Sequence, residues 1–380
     1  MTHRTRTTAR SVLLLASVSL LGCVGGAGAE AVAAASTSSM GTDDGMFEAT
    51  DTGGGEGSSG SDSGADVVPC AAVLGLYVDD ACGVLSDGVL SFTPQYPLWS
   101  DGVAKERYAF IPPGSSIDVG DPNAWVFPVG TRFWKHFATA DGRRLETRVL
   151  EKTADLKGVS GWTFETYAWN EAGDDVTRVI DGRRDVWGTE HDIPAESDCA
   201  ECHSGGENDW DATLKQDALL DLALGFGAIQ LNHDGSETTL ESLAADGWLD
   251  GTVTAADAVV PGDATARAAL GYLHANCGSC HGGAKPAKRL TMLVPVGASR
   301  VEDTPTYQGT VGVPTDPNEQ ATGIEEMPAT RIAPGEPENS ALLWRMLQRG
   351  GGDAPMPPLA TDQVDDAGVQ AVSAWIEDLQ

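Results

Sequence analysis

The sequence predicts an α+β multidomain chain, in which an N-terminal β-rich domain precedes mostly α-helical domains. Polar and apolar residues alternate over residues 162–169, as they do in a half-buried strand. Near the C-terminus, Val369, Val372 and Ile376 recur with the spacing of one helix face. The two-residue alternation therefore predicts strands in the first half of the mature chain, and the helical spacing predicts helices in the second half.

The β-rich domain is predicted over residues 69–190. Residues 131–137 are a strand candidate, Asp141 and Gly142 supply a turn, and residues 144–150 return as the partner strand. Six of the ten tryptophans lie between Trp99 and Trp187, and they are more simply core residues than a binding platform.

Two copies of the pattern C-x-x-C-H stand at residues 199–203 and 277–281. This pattern is the attachment signature of c-type haem, because two thiols at this spacing can each bond one vinyl group of the same porphyrin. The imidazole of the next residue then reaches the iron. The sequence therefore predicts two covalent haems c, held by Cys199 and Cys202 and by Cys277 and Cys280. The proximal iron ligands are then His203 and His281.

The C-x-x-C pairs have two other known uses, an all-thiolate zinc site and a thioredoxin-like dithiol. The pairs are much further apart than those of a zinc knuckle, and zinc needs no His after each pair. A redox dithiol is expected in a βαβ unit, which the pattern does not indicate. Haem is the favoured interpretation.

The motifs divide the second half of the chain into a first haem c region, residues 191–260, and a second cytochrome c domain, residues 261–380. In the first region, helices are expected over residues 212–224 and 238–245. In the second, Asp263 or Thr265 can cap a helix that runs to about residue 276, so that the motif sits at the helix end. A C-terminal helix over residues 362–379 is expected to cross this helix and support the haem.

Met356 is the predicted distal ligand of the second haem. The flanking prolines hold an extended loop that can present a thioether to iron at little entropic cost. Met327, followed by Pro328, is the main competitor, while Met292 is a weaker one and Met346 reads as a core residue. For the first haem, three possibilities stay open: His233, Met327 or no distal ligand.

The N-terminus reads as an export signal over residues 1–22. Arg4, Arg6 and Arg10 precede an apolar stretch that is too short to span a bilayer. The stretch ends in Leu-Leu-Gly before Cys23, which resembles a bacterial lipobox and implies cleavage before Cys23 and its acylation. The alternative is an ordinary secretory signal with an incidental cysteine.

Residues 23–68 are rich in Gly, Ser, Thr and Asp and read as a flexible acidic tether. The lipid would then be the only membrane anchor, and Val24 after the acylated cysteine resembles the outer-membrane sorting pattern. We expect an exported, lipid-anchored protein at the periplasmic or surface face of the outer membrane.

Cys70 and Cys82 are the two cysteines without an assigned role, and export favours a disulfide between them. Two free structural thiols are the alternative.

The formal net charge of −32 disfavours nucleic acid as a partner and favours basic proteins. The same acidity is equally compatible with a role in solubility alone.

Several short segments resemble a bacterial family of exported dihaem c-type cytochromes, whose physiological role is largely unassigned. They are residues 96–102 (YPLWSDG), 127–131 (FPVGT), 145–148 (LETR), 193–194 (IP), 230–232 (QLN) and 356–359 (MPPL). The resemblance covers roughly residue 90 to the C-terminus. It implies architecture and cofactor more than a reaction.

The leading functional hypothesis is a membrane-anchored dihaem c-type cytochrome that transfers electrons to redox partner proteins, with basic cytochromes among them. An enzyme is the second hypothesis: a dihaem peroxidase-like or other haem oxidoreductase with an open distal site on the first haem. The third is a sensing or scaffolding role for the β-rich domain, with the haems as accessories.

Overall fold

The computed structural model describes residues 68–203, 220–221, 223–282, 290–316, 327–349, 355–359 and 361–380. These residues belong to one compact unit that spans residues 61–380. The predicted signal peptide, the tether with Cys23, and most of the helix expected over residues 212–224 lie outside the described residues. Among the residues described, no helix is long and apolar enough to cross a membrane.

An antiparallel sheet dominates the first half of the unit. Strands β1 to β9 comprise Val68–Pro69, Leu90–Ser91, Ala104–Phe110, Ile117–Asp118, Arg132–Ala138, Arg144–Lys152, Trp162–Trp169, Asp175–Arg178 and Leu249–Asp250. Seven of them form one sheet in the order β1-β8-β7-β6-β5-β3-β2, while β4 and β9 pair as a separate parallel ribbon. The strands predicted around residues 131–137, 144–150 and 162–169 are confirmed as β5, β6 and β7.

The alternation that predicted these strands also assigns their two faces. Phe133, Leu150 and Phe164 occupy opposed positions on β5, β6 and β7 and so share one face of the sheet. On the other face, Trp134 and Val149 pack against helix α1 (Cys70–Leu74) and the loop after it. Both faces are covered, which is why the strands carry apolar residues in both phases.

The loop after α1 is closed by a disulfide. Cys70 and Cys82 are bonded, with their Cα atoms 6.3 Å apart, and both are fully buried in a core that also contains Trp134, Trp169 and Val176. Trp134 Nε1 donates a hydrogen bond of 2.7 Å to the Leu74 carbonyl at the end of α1. The bridge therefore holds a short N-terminal segment against the sheet.

The helices are short. Helices α1 to α8 comprise Cys70–Leu74, Cys199–His203, Ala228–Leu231, Leu240–Ala245, Ala264–Asn276, Pro305–Thr310, Ala341–Leu347 and Asp366–Asp378. Asp263 caps α5 by accepting from the Ala266 N–H, and Thr239 caps α4 in the same way from Ser242. These two helices confirm their sequence-based counterparts, as does α8 within the C-terminal stretch.

The predicted fold class, an α+β multidomain chain with mostly α-helical cytochrome c-type haem domains, is wrong. The described parts of residues 191–380 contain few helices, of which the longest, α5 and α8, have 13 residues each. The physical reason is visible in the chain between the haem motif at 277–281 and α7. There prolines recur, and each fixes its own φ and removes a backbone donor. Those among the described residues are Pro295, Pro305, Pro314, Pro328, Pro334 and Pro337.

Helices α5 and α8 pack together as expected, around a second core. Leu270 and Leu273 of α5 meet Val372, Trp375 and Ile376 of α8 in one buried cluster. A side chain at Gly368 would collide with the ring of Tyr272, so the close approach of the two helices depends on this glycine.

Candidate functional site

Both C-x-x-C-H motifs open into one cavity of about 400 Å³. All four motif cysteines, His203 and His281 line it, together with the loop at residues 356–359. The remaining walls come from the β3-β5-β6-β7 face of the sheet and from α7. A cavity of this size lies within the usual range of small-molecule and cofactor sites.

The first motif forms helix α2, directly after a short 3-10 turn, Glu196–Asp198. The Ala195 N–H donates to Asp198 Oδ2 at 3.1 Å, which fixes the start of this segment. The His203 ring lies 5.6 Å from the ring of Phe164 on β7. The first motif therefore packs against the sheet.

The second motif begins at the end of α5. The Cys277 N–H donates to Leu273, and the His281 N–H donates to the Cys277 carbonyl at 2.7 Å, so the turn continues the helical direction. A side chain at Gly278 would meet the carbonyl of His274 and the side chain of Leu293. Glycine between the two cysteines is thus a packing requirement at this helix end.

Asn276, the residue before this motif, is held by a loop from the first half of the chain. Its Oδ1 accepts from the Trp99 N–H at 2.7 Å, and its Nδ2 donates to the Pro97 carbonyl at 3.2 Å. The side chain is buried. Residues 96–102 thereby bind the end of α5.

The two motifs touch each other. Cys280 Sγ donates to the Glu201 carbonyl at 3.2 Å, and interaction between the neighbouring Cys202 and Cys280 thiols lowers the pKa of Cys202 and raises that of Cys280. Burial raises the pKa of Cys199 to about 11 and that of Cys277 to about 12. Four thiols from segments that are distant in sequence therefore share one wall of the cavity.

Three of the four methionines weighed as ligands line the cavity: Met292, Met346 and Met356. Met292 and Met346 belong to the apolar core around α5, whereas Met356 is only half-buried and its N–H donates to the Arg345 carbonyl at 3.1 Å. Met327 is buried away from the cavity. Met356 is the methionine that reaches the site without being a core residue.

His233 does not line the cavity, and its ring is already engaged. The Gly235 N–H donates to Nδ1 at 3.0 Å, so the proton lies on Nε2, which donates to the Thr93 carbonyl at 2.7 Å. Neither His233 nor Met327, the two distal candidates named for the first haem, is thus presented to the site.

The cavity also contains charged residues that the sequence did not single out. Arg107, Lys135 and Arg148 all line it. Arg148 Nε donates to Glu146 Oε1 at 2.5 Å, and His191 Nε2 lies 2.8 Å from Glu146 Oε2. Burial opposes the charged form of Glu146, but Arg148 and His191 hold its pKa below the ordinary value.

A second buried ion pair ties residues 220–221 to the sheet. Lys152 Nζ lies 2.6 Å from Asp221 Oδ2, and Trp162 Nε1 donates to Asp221 Oδ1 at 3.1 Å. Both charged side chains are almost fully buried. This pair lies outside the cavity and fixes the chain where it returns from the first motif.

The residues at the cavity fit c-type haem by the chemistry of their donors. Two thiol pairs, the following imidazoles and a thioether face one apolar-walled space, and Arg107 Nη2 is a buried donor without a partner among the described residues. Among the described residues, no group of three or more His, Cys, Asp or Glu side chains is placed to hold a metal ion. The zinc alternative thus gains no support from the arrangement of the thiols.

Comparisons with protein-family models, with curated proteins and with solved structures each found no match.

Proposed function

We propose that this protein is an exported, lipid-anchored dihaem c-type cytochrome that carries electrons between redox partners. The observation that carries the proposal is that the four motif cysteines, His203, His281 and Met356 line a single cavity. When bound, the haems supply one-electron chemistry. The chain attaches them through Cys199, Cys202, Cys277 and Cys280 and ligates their irons.

Contact between the motifs makes electron relay the favoured use. Cys280 of the second motif donates to the Glu201 carbonyl of the first, so two porphyrins attached at these motifs would lie close together. Phe133, Leu150 and Phe164 give that space an apolar wall, and burial against such a wall is one means by which a protein tunes haem potential. A pair of adjacent, shielded haems is suited to passing electrons onwards.

Anchoring and charge extend the proposal to location and partners. Cys23 would hold the chain at the outer membrane through its lipid, and the acidic tether would let the unit reach its partners. The net charge of −32 attracts basic redox proteins, for which electrostatic steering accelerates encounter.

Covalent haem content tests this proposal directly. The intact mass of the mature protein in denaturant should exceed that of the polypeptide by two haems. Cys199→Ala with Cys202→Ala should remove one haem, whereas Cys70→Ala with Cys82→Ala should remove none. A wild-type mass without any haem, after expression with a haem-attachment system, would refute the proposal.

A haem oxidoreductase with an open distal site on the first haem is the second candidate. It is favoured by one observation: His233 and Met327 do not line the cavity. Ferric high-spin spectra, cyanide binding at one haem and peroxide turnover at enzymatic rates would support it. Two low-spin haems that bind neither cyanide nor carbon monoxide would exclude it.

A further inference from the structure

Three basic residues form a row across the cavity face of the sheet. Arg107 on β3 pairs in register with Lys135 on β5, and Lys135 pairs with Arg148 on β6. Directly opposed side chains in antiparallel strands are close neighbours, and like charges in such pairs are destabilising. A row of three cations therefore requires negative charge nearby.

Only one end of the row is neutralised within the described residues. Arg148 has its carboxylate, Glu146, at 2.5 Å. Lys135 makes no ion pair or side-chain hydrogen bond with the described residues; its Nζ lies over the Phe137 ring at 4.8 Å. Arg107 is 6% exposed, and its Nη2 finds no hydrogen-bond partner among the residues described. Glu237 acts on Arg107 and Glu146 acts on Lys135 at longer range, but neither cation has a carboxylate in direct contact among the described residues.

The surroundings of Lys135 and Arg107 disfavour the charged forms of both side chains. Burial, followed by repulsion from Arg107 and Arg148, pushes the pKa of Lys135 well below its ordinary value, and burial lowers the pKa of Arg107 to about 10. Lys105, at the rim of the same face, adds a further positive charge. An uncompensated charge removed from water is unfavourable unless a partner fills the site.

The row starts beside the first haem motif. Arg148 acts electrostatically on Cys199 and Cys202, and Lys135 on the next strand also acts on Cys202, while Arg107 stands two strands from Arg148, which is roughly 10 Å at the usual strand spacing. A porphyrin held by its vinyl groups carries its two propionate carboxylates on the opposite edge. The direction of the row, away from the cysteines, matches that separation.

We propose that Lys135 and Arg107 bind the two propionate carboxylates of the haem attached at Cys199 and Cys202. This inference rests on the proposed function. The charges balance, since two propionates meet the two unpaired cations while Arg148 remains with Glu146. The cavity face of the β-sheet then binds the propionate-bearing edge of the first haem.

The test compares the midpoint potentials of both haems in the intact holoprotein. Lys135→Met and Arg107→Gln should each lower the potential of one haem, because removal of a nearby positive charge favours the ferric state. Lys135→Arg should retain the wild-type potential. Arg132→Gln is the matched control, because Arg132 lies on the same strand but on the opposite face, paired with Glu151. It should change neither potential.

Two further measurements show which haem responds and whether both haems are still attached. In the Cys199→Ala, Cys202→Ala background, which keeps only the second haem, Lys135→Met should no longer shift any potential. Intact mass should show both haems in Lys135→Met and Arg107→Gln on the wild-type background, so that a lost haem is distinguished from a shifted one.

Unchanged potentials in Lys135→Met and Arg107→Gln, with both haems attached, would overturn the assignment. So would a shift that persists when the first haem is absent. A wild-type potential that responds to added phosphate, with the response lost in Lys135→Met, would show that the row binds solvent anions and not propionates. Absence of haem from the wild type would instead contradict the proposed function itself.

Discussion

Met356 differs from the other cavity methionines because its side chain is half-buried in a proline-bounded loop and not part of a core. Met356→Ala should abolish the weak far-red absorption of sulfur-ligated ferric haem and lower one midpoint potential, because a thioether ligand raises haem potential. Met346→Leu, which conserves volume at another cavity methionine, should leave the band intact. Survival of the band and of both potentials in Met356→Ala would show that Met356 is not the ligand.

Glu146 should matter for stability through its charge. Removing one member of a buried ion pair leaves the other uncompensated, so Glu146→Gln should lower the free energy of unfolding by about 3 kcal/mol at pH 7. Glu165→Gln, at the partly exposed Glu165–Arg178 pair, should cost at most about 1 kcal/mol. Denaturant titration compares the two variants.

The pH dependence of that loss follows from the direction of the Glu146 shift. The folded-state pKa lies below the ordinary value of 4.5, so the carboxylate contributes stability above pH 4.5 that disappears as the pH falls through the folded-state pKa. The difference between wild type and Glu146→Gln should therefore shrink on acidification below pH 4.5. A difference that stays constant would mean that hydrogen-bond geometry, not charge, carries the effect.

At the scale of elements, the disulfide secures α1 and the following loop to the sheet. Cys70 and Cys82 are separated by 12 residues, and closing a loop of this length stabilises the folded state by about 3 kcal/mol in the chain-entropy account. The Cys70→Ala, Cys82→Ala variant should lose roughly that amount in denaturant titration and keep both haems. Recovery of both cysteines as alkylated thiols from unreduced wild type would contradict the pairing.

The elements that were predictable are those decided by local pattern. Asp263 precedes a helix with one apolar face, and the structure begins α5 there; the alternation over residues 162–169 is β7. The row of Arg107, Lys135 and Arg148 was not predictable, because it depends on the register of three strands at once. The contact between Cys202 and Cys280 likewise depends on packing between distant segments. Helix content was overpredicted because proline-rich loops, and not helices, surround much of the second motif.

For the whole molecule, the proposed lipid anchor at Cys23 would set where the unit works. Cells fed a fatty-acid analogue should label the wild type and the Cys70→Ala, Cys82→Ala variant, because both retain Cys23. Cys23→Ser should lose the label and appear in the soluble fraction. Equal labelling of Cys23→Ser and wild type would rule out acylation at this cysteine.

The hydrogen bonds between residues 96–102 and Asn276 bear on the order in which the chain would fold during the proposed export. The chain leaves the cytoplasm N-terminus first, so the sheet and its Pro97–Trp99 loop emerge long before Asn276 arrives to meet them. During that interval the apolar wall of Phe133, Leu150 and Phe164 faces water, where it is open to association with other chains. Arrival of the C-terminal segments would close this interval, so the rate of the proposed export and the supply of the proposed haems would together set how long the wall stays exposed.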